Sequence, residues 1–390
     1  MRAAIVRWIA LGQREMQNYE PLAASGRWDL LGIGSRRPDH DLSDINFPVA
    51  RPLSLDCLAL RVPGLDWSIK RLAGLEIHNL NYMFGLEKLL AGTNIVDVAE
   101  TYHPFCYQVA RAKQRLGYRL VVSVQENIPF THERPGFRRR TKQAVFKAAD
   151  YFLSLSEMAK KSLVLEGVPA DRIAVLPTMG VNSDHFSPGA KDPTWLDEIG
   201  LDASDFVLLF VGRLTWAKGV FDLLYAFKML QGDATLGGRP LKLLIVGNGE
   251  AAGAVDALVE RLGLQRQVRM VRRVPYAEMP KIHNLADIFV LPSIATPKWQ
   301  EQFGAVLAES MACGKPIVGA GSGAIPEVVG TAGLIARAND YTSLAASLAQ
   351  LIADDTLRET LGRRARERVV EEYDSKRIGA RIQRVYESLA

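Results

Sequence analysis

Apolar residues in this chain come in short runs with few polar interruptions. In the first half these are Ala3–Val6, Asp29–Ile33, Ile95–Val98, Leu120–Val124, Tyr151–Leu155 and Ile173–Leu176. In the second half they are Phe206–Val211, Leu243–Val246, Val268–Val271, Ile288–Leu291, Pro316–Gly319 and Gly333–Ala336. A strand with one wet face alternates apolar and polar positions. A run that is apolar throughout suits a strand covered on both faces, as in a parallel sheet flanked by helices. Longer stretches with helical spacing lie between the runs. The class is therefore α/β, and two such series predict two doubly wound, Rossmann-like domains. The segment Pro177–Asp205 holds several Pro and Gly and few periodic apolar residues, which predicts the division. We expect domains over 1–188 and 189–373. A last helix follows, about 374–390, with Ile378, Ile382, Val385 and Tyr386 on one face.

Composition keeps the chain among ordinary globular proteins. It has 390 residues, 48% hydrophobic and 23% charged, enough for about two full cores. Cys57, Cys106 and Cys313 are too few and too scattered for a disulfide framework or a cysteine zinc site, and reduced thiols are expected. Arg2 and Arg7 interrupt Met1–Leu11, so no secretory signal is read there. No window reaches the ~18 uninterrupted apolar residues of a membrane-spanning helix. The expected location is cytoplasmic.

Charge refines the picture. The net value is +5, and residues 1–150 carry 21 Lys and Arg against 15 Asp and Glu. The densest stretch is 134–147, with Arg134, Arg138, Arg139, Arg140, Lys142 and Lys147, and with Phe137, Val145 and Phe146 interleaved. A basic amphipathic helix of this kind suits peripheral contact with the anionic inner face of a membrane. A solvated face with ion-pair partners is the plainer alternative. No nucleic-acid module pattern is present, and no nucleic-acid partner is expected.

Candidate chemistry lies in the second half. The run Phe206–Val211 leads into Gly212-Arg213, and a helix is expected to begin near Lys218-Gly219. Arg213 and Lys218 then sit at a strand's carboxyl end beside a helix N-terminus. Cations and free N–H groups converging there suit a diphosphate. A leaving diphosphate gains negative charge, so such cations stabilise the transition state more than the ground state. A plain surface cation pair is the alternative.

Glu301 and Glu309 stand eight positions apart. A helix over about 304–313 is predicted, ended by Gly314-Lys315-Pro316. Glu301 would lie in the preceding loop and Glu309 inside the helix. The two carboxylates can accept hydrogen bonds from different hydroxyls of one ligand. Gly304 allows a close backbone approach, and the amides of Ala305 and Val306 are free to face phosphates. An exposed loop Glu and a helix-surface Glu would give the same pattern without function.

The order of motifs weighs against that alternative. Gly212-Arg213 with Lys218-Gly219 is followed by Val246-Gly247-Asn248-Gly249 and then by Ala286-Asp287-Ile288-Phe289-Val290-Leu291-Pro292-Ser293. Next come Glu301 and Glu309, Met311-Ala312-Cys313-Gly314-Lys315-Pro316, and Ile325-Pro326-Glu327-Val328-Val329. This set resembles glycosyltransferase family 4, whose members are retaining nucleotide-sugar glycosyltransferases of the GT-B fold. The match is close over about 180–390 and only in outline before it.

The resemblance implies a role for each residue. Arg213 and Lys218 would hold the diphosphate, with the amides of Ala305 and Val306. Glu301 and the Phe303-Gly304 backbone would bind the donor sugar's hydroxyls, and Glu309 the ribose hydroxyls. Arg273 and Val274 would border the base. The last helix would cross back onto the N-terminal domain. Configuration would be retained. No metal and no cofactor beyond the substrate, a UDP-hexose or GDP-mannose, would be needed. The acceptor would be a glycan or a lipid-linked molecule.

The N-terminal half departs from the family pattern. Many members carry a Gly-Gly loop after the first strand, where Ile9–Glu15 offers only Gly12 for the diphosphate. Many carry a His where this chain reads Ser123-Val124-Gln125-Glu126-Asn127-Ile128-Pro129. Glu126 and Asn127 would then face the donor sugar, and His103 is another candidate. In a same-face displacement the leaving phosphate can take the acceptor's proton. Glu126 would therefore stabilise positive charge at the sugar or position the acceptor, unless it only caps a neighbouring helix.

Other classes fit less well. Gly247-Asn248-Gly249 and Gly321-Ser322-Gly323 lack the third glycine of a dinucleotide fingerprint, which weakens an NAD-dependent oxidoreductase. A non-enzymatic binding protein would need no paired cations and carboxylates. A soluble-sugar synthase or sugar-nucleotide epimerase on the same fold remains the nearest alternative.

Overall fold

The structure is a computed structural model, and it describes residues 1–8, 11–36, 42, 45–59, 81–133, 136–232, 236 and 240–390. The chain divides into two compact units. The first is Met1–Gly180 with Ser375–Ala390, and the second is Val181–Asp374.

In the first unit the strands are β1 (Arg2–Trp8), β2 (Asp29–Gly34), β3 (Val49–Ala50), β4 (Ile95–Ala99), β5 (Arg119–Val124), β6 (Tyr151–Ser154) and β7 (Ile173–Val175). They form a seven-stranded sheet in the order β3-β2-β1-β4-β5-β6-β7, and every pairing is parallel. Successive side chains leave opposite faces. Ala4, Val6, Val96, Val98 and Val122 pack on one side with Phe105, Val109 and Val145. Ala3, Ile5, Ile95 and Val121 pack on the other with Met16, Tyr19 and Tyr386. Both faces are thus covered, as the mostly apolar runs require. The edge strand β3 is only two residues long, too short to leave a sequence signal.

The last helix, Ser375–Leu389, belongs to this unit and buries Ile378, Ile382 and Tyr386. A buried polar group anchors it. The Asp97 carboxylate accepts from Tyr386 Oη (2.8 Å), Tyr19 Oη (2.9 Å), Ser123 Oγ (2.8 Å) and Arg7 Nη2 (3.0 Å). Arg7 also pairs with Glu15. A buried charge needs such a set of partners.

The second unit holds β8 (Phe206–Val211), β9 (Leu241–Val246), β10 (Val268–Val271), β11 (Ile288–Leu291), β12 (Ile317–Ala320) and β13 (Gly333–Ala336). Their order is β10-β9-β8-β11-β12-β13, again all parallel. The order reverses at β8, and ligands of such sheets bind beyond the carboxyl ends of the strands at that point.

The division falls earlier than expected. Residues 181–188 belong to the second unit, not the first. Arg366 Nη1 donates to the carbonyls of Ser183 (2.9 Å) and Phe186 (2.8 Å), and the buried Phe186 ring packs on Tyr276 and His283. These contacts outweigh the loop-like composition.

Candidate active site

Two strand-end loops of the second unit meet at Lys218 and Glu301. After β8 the loop closes with a 3-10 turn, Trp216–Lys218, before the helix Val220–Gln231. Gly219 has φ 69°, and a Cβ there would fall 1.8 Å from the Pro292 carbonyl oxygen, so only glycine lets the loops approach this closely. Lys218 Nζ donates to Glu301 Oε1 (3.0 Å) and Oε2 (2.7 Å), and Ser293 Oγ donates to Oε2 (2.7 Å). Ser322 Oγ accepts from the Glu301 amide (3.4 Å) and donates to the Ile294 carbonyl (2.8 Å). Lys218 Nζ also lies 5.3 Å from the centre of the Trp299 ring, within cation–π range. Asn339 fixes that loop through both backbone groups of Ala295 (2.9 and 2.8 Å). Glu301 is buried, while the Lys218 side chain is 19% exposed. Arg213 is exposed and has no ion-pair partner among the described residues.

The helix carrying Glu309 runs Ala305–Ala312, with Gly304 at its N-cap. Gly304 has φ 74°, and a Cβ would crowd Leu291 (2.9 Å) and Leu307 (3.0 Å), so helix entry itself demands glycine. Ala305 and Val306 open the helix, where N–H groups lack intrahelical partners. Phe303 is buried edge-on against Tyr373 (5.5 Å). Glu309 is not a helix-surface residue. It is buried, with Oε2 3.6 Å from Nε2 of the equally buried His283. Arg273 is exposed and Val274 half-buried beyond β10.

The first unit carries its own constellation. Gly12 has an extended backbone (φ −166°) and caps the short helix Gln13–Met16, while Ile9 and Ala10 lie outside the described residues. Beyond β4, Glu100 has φ 66° and its Oε1 accepts the Gln125 amide (2.9 Å). Burial pushes its carboxyl up to about 8, and the nearby Glu126 adds to the shift. Burial also acts on Glu126, but hydrogen bonds from His132 Nε2 (3.1 Å) and the Ile128 amide (3.0 Å) outweigh it. They hold that carboxyl below the usual range. Two carboxyls pushed apart in this way are a common mark of a functional site.

The other residues expected here are more enclosed. Asn127 is buried. The His103 ring lies among Trp8, Tyr102 and Phe105, with Nδ1 2.9 Å from Asn81 Nδ2.

The basic helix runs Gly136–Ala148 and is less one-sided than its composition suggested. Lys142 is buried and pairs with Glu166 (2.7 Å), and Val145 and Phe146 pack into the core. Phe137, Arg139 and Arg140 are exposed. Arg134 lies outside the described residues.

Several residues carried no sequence signal as site members. Ser293 and Ser322 fix Glu301 through pairings distant in sequence. Trp299 reads as an ordinary loop aromatic. Glu100, Tyr102 and His132 precede or follow the positions singled out. Among the described residues, no three His, Cys, Asp or Glu cluster as metal ligands would, and no helix is long and apolar enough to cross a membrane. An Asp-x-Asp spacing occurs at Asp39-His40-Asp41, outside the described residues.

Comparison with known proteins agrees with this layout. Residues 191–368, all within the second unit, match the family of group 1 glycosyl transferases. The chain is 32% identical over 238 residues to D-inositol 3-phosphate glycosyltransferase of Corynebacterium jeikeium, covering 58% of this chain and 55% of that one. It is 29% identical over 250 residues to the capsular polysaccharide biosynthesis glycosyltransferase CapM of Staphylococcus aureus, covering 63% of each. The chain thus spans little more than half the length of these curated relatives. Its fold superposes on that of Anabaena HepE in complex with UDP and glucose over 100% of both chains, with a TM-score of 0.78 at 18% identity. The fold is GT-B, and the chain resembles glycosyltransferase family 4.

Proposed function

We propose that the protein is a retaining glycosyltransferase that moves a hexosyl unit from a UDP-hexose or GDP-mannose to a glycan or lipid-linked acceptor. The observation that carries this reading is the Lys218–Glu301 contact at the switch point of the second sheet, beside the N-terminus of Ala305–Ala312. A cation, a fixed carboxylate and free amides are the groups a diphosphate and a sugar ring need side by side.

In this reading Arg213, Lys218 and the amides of Ala305 and Val306 hold the diphosphate. Glu301 and the backbone at Phe303-Gly304 take the sugar hydroxyls. Glu309 takes the ribose, and Arg273 and Val274 border the base. Gly12 lends backbone to the diphosphate. His103, Glu126 and Asn127 serve the sugar and the acceptor. The bond to the diphosphate breaks as the acceptor oxygen attacks from the same face, and the cations stabilise the departing charge without a metal. Of the two relatives, one is named for inositol 3-phosphate and the other for capsular polysaccharide, so a polar hydroxyl acceptor is supported by both names. The exposed Phe137, Arg139 and Arg140 support peripheral contact with an anionic membrane from the cytoplasmic side.

A thermal-shift screen of UDP, GDP, ADP and their sugars tests the reading. A ligand at 100 times its Kd stabilises the native state by about 2.7 kcal/mol. UDP or GDP should raise the melting temperature, and Arg213→Ala with Lys218→Ala should remove the shift. Failure of every nucleoside diphosphate to stabilise the protein overturns the assignment.

A further inference from the structure

The loop that follows β11 is pinned to the turn carrying Lys218. Its Ile294 amide donates to the Ala217 carbonyl (3.0 Å), inside the turn Trp216–Lys218. Ser322 Oγ donates to the Ile294 carbonyl (2.8 Å), and the Asn339 side chain takes both backbone groups of Ala295. Asn339 itself has φ 59°, an angle that residues with side chains adopt uncommonly. Thr296 closes the tip of the loop. Its amide donates to the Trp299 carbonyl (2.9 Å), and its Oγ1 accepts the Trp299 amide (2.9 Å). This framework fixes the half-buried Trp299 indole beside the Lys218–Glu301 pair, with Lys218 Nζ 5.3 Å from the ring centre. Trp is the strongest of the aromatic partners for a cation. Its pull acts on the charge and claims no lone-pair direction. The ammonium has three N–H donors. Glu301 and a phosphate oxygen can therefore take them in turn while the ring keeps its contact. A lysine side chain has much rotamer freedom to lose, and a fixed ring removes part of that loss before a ligand arrives.

We propose that Trp299 is the positioning residue of Lys218: its indole keeps the ammonium aimed at the diphosphate of the donor when Glu301 gives it up. The inference rests on the assignment of Lys218 to the diphosphate in the glycosyltransferase reading. Every group it needs lies in the second unit. Trp299 acts through Lys218 alone and touches no reacting atom. Asn339, Thr296 and Ser322 serve it by fixing the loop, which is why an exposed turn is tied down at Ile294, Ala295 and Trp299 in succession. A cation already in place costs no reorganisation when charge develops on the departing diphosphate.

The test is a double-mutant cycle on the full chain, with Trp299→Leu, Lys218→Met and the two combined. Calorimetry with UDP, GDP and ADP supplies the affinities. For the nucleotide that binds the wild type, Trp299→Leu should raise Kd about fivefold. Trp299→Phe keeps a ring and should recover about half of that loss on a logarithmic scale. In the Lys218→Met background Trp299→Leu should change Kd less than about twofold, because no ammonium remains for the ring to hold. Unchanged affinity in Trp299→Leu overturns the proposal. So does an equal loss in both backgrounds, which would give Trp299 a role in loop structure or in direct contact with the ligand. If Trp299→Leu lowers the melting temperature of the free protein, the cycle is run with Trp299→Phe, and lack of coupling to Lys218 overturns the proposal there too. A wild type that binds a nucleoside diphosphate while the cycle shows no coupling keeps the glycosyltransferase reading and removes only Trp299. A wild type that binds none of the three sinks both.

Discussion

Lys218 gives both of its carboxylate contacts to Glu301, at 3.0 and 2.7 Å, although the two residues are 83 positions apart. In the proposed reading, the group that would hold the diphosphate and the group that would hold the sugar are thus paired with one another. Donor binding has to draw Lys218 at least partly away from Glu301. A hydrogen bond to a charged group is worth about 1.5–3 kcal/mol, and solvent at Lys218 favours the lower end. Glu301→Gln should bind free nucleoside diphosphate up to about tenfold more tightly, and transfer should fall at least 100-fold (about 3 kcal/mol) because the sugar loses its anionic acceptor. Calorimetry with UDP and GDP, set beside turnover, checks both. Weaker nucleotide binding in Glu301→Gln would show that the pair does not compete with the diphosphate.

Glu309 supplies a separate test, because its carboxylate is buried next to His283 and not on the helix surface. A ribose whose two hydroxyls meet that carboxylate gains charge-assisted hydrogen bonds. Glu309→Gln keeps the volume and loses the charge. Its Kd for the nucleoside diphosphate should rise about tenfold, with little change in the melting temperature of the free protein. An unchanged Kd rules out the ribose role.

Glu100 makes stability depend on pH in a defined direction. Its carboxyl is pushed from about 4.5 to about 8, so the folded state holds a proton that the unfolded chain has already lost. The contribution is fully present below about pH 4.5 and is lost as pH rises through about 8. Each unit of that interval is worth at most about 1.4 kcal/mol. Glu100→Gln cannot ionise. Its melting temperature should exceed that of wild type at pH 9 by several degrees and approach it at pH 5. A constant difference across that range would mean that Glu100 titrates normally.

Twelve of the strands were legible because a short run that is apolar at most positions, without alternation, has few uses other than a doubly covered strand. What escaped the sequence was set by contacts between distant residues. Nothing local marks Phe186 as a core residue of the second unit, and only its packing on Tyr276 and His283 puts it there. Lys142 reads as one more surface cation until Glu166 is seen opposite it. Ser293 lay within a motif of the family pattern, yet its hydrogen bond to Glu301 appears only when the loop returns. Tyr102 and His132 come from loops after different strands, so no spacing could suggest their stack.

Metal independence is testable through Asp39-His40-Asp41, the spacing that manganese-dependent transferases use. With Lys218 and Arg213 supplying charge to the diphosphate, EDTA should leave transfer within about twofold of the untreated rate. Asp39→Ala with Asp41→Ala should do the same. Loss in EDTA that manganese restores would give those carboxylates the role assigned here to the cations.

Membrane contact is the prediction that the folded helix narrows most. With Lys142 paired to Glu166 and Val145 in the core, the exposed residues of the helix include Phe137, Arg139, Arg140 and Lys147. Each basic residue near an anionic surface contributes about 1 kcal/mol, and the attraction falls off within a Debye length of ~8–10 Å at ordinary salt. Sedimentation with vesicles of phosphatidylcholine and phosphatidylglycerol should retain the protein at low salt and release it at high salt. Arg139→Glu with Arg140→Glu should abolish retention while leaving nucleotide binding intact, because the second unit is untouched. Retention that persists in this variant, or that ignores salt and lipid charge, would assign the basic helix to solvent.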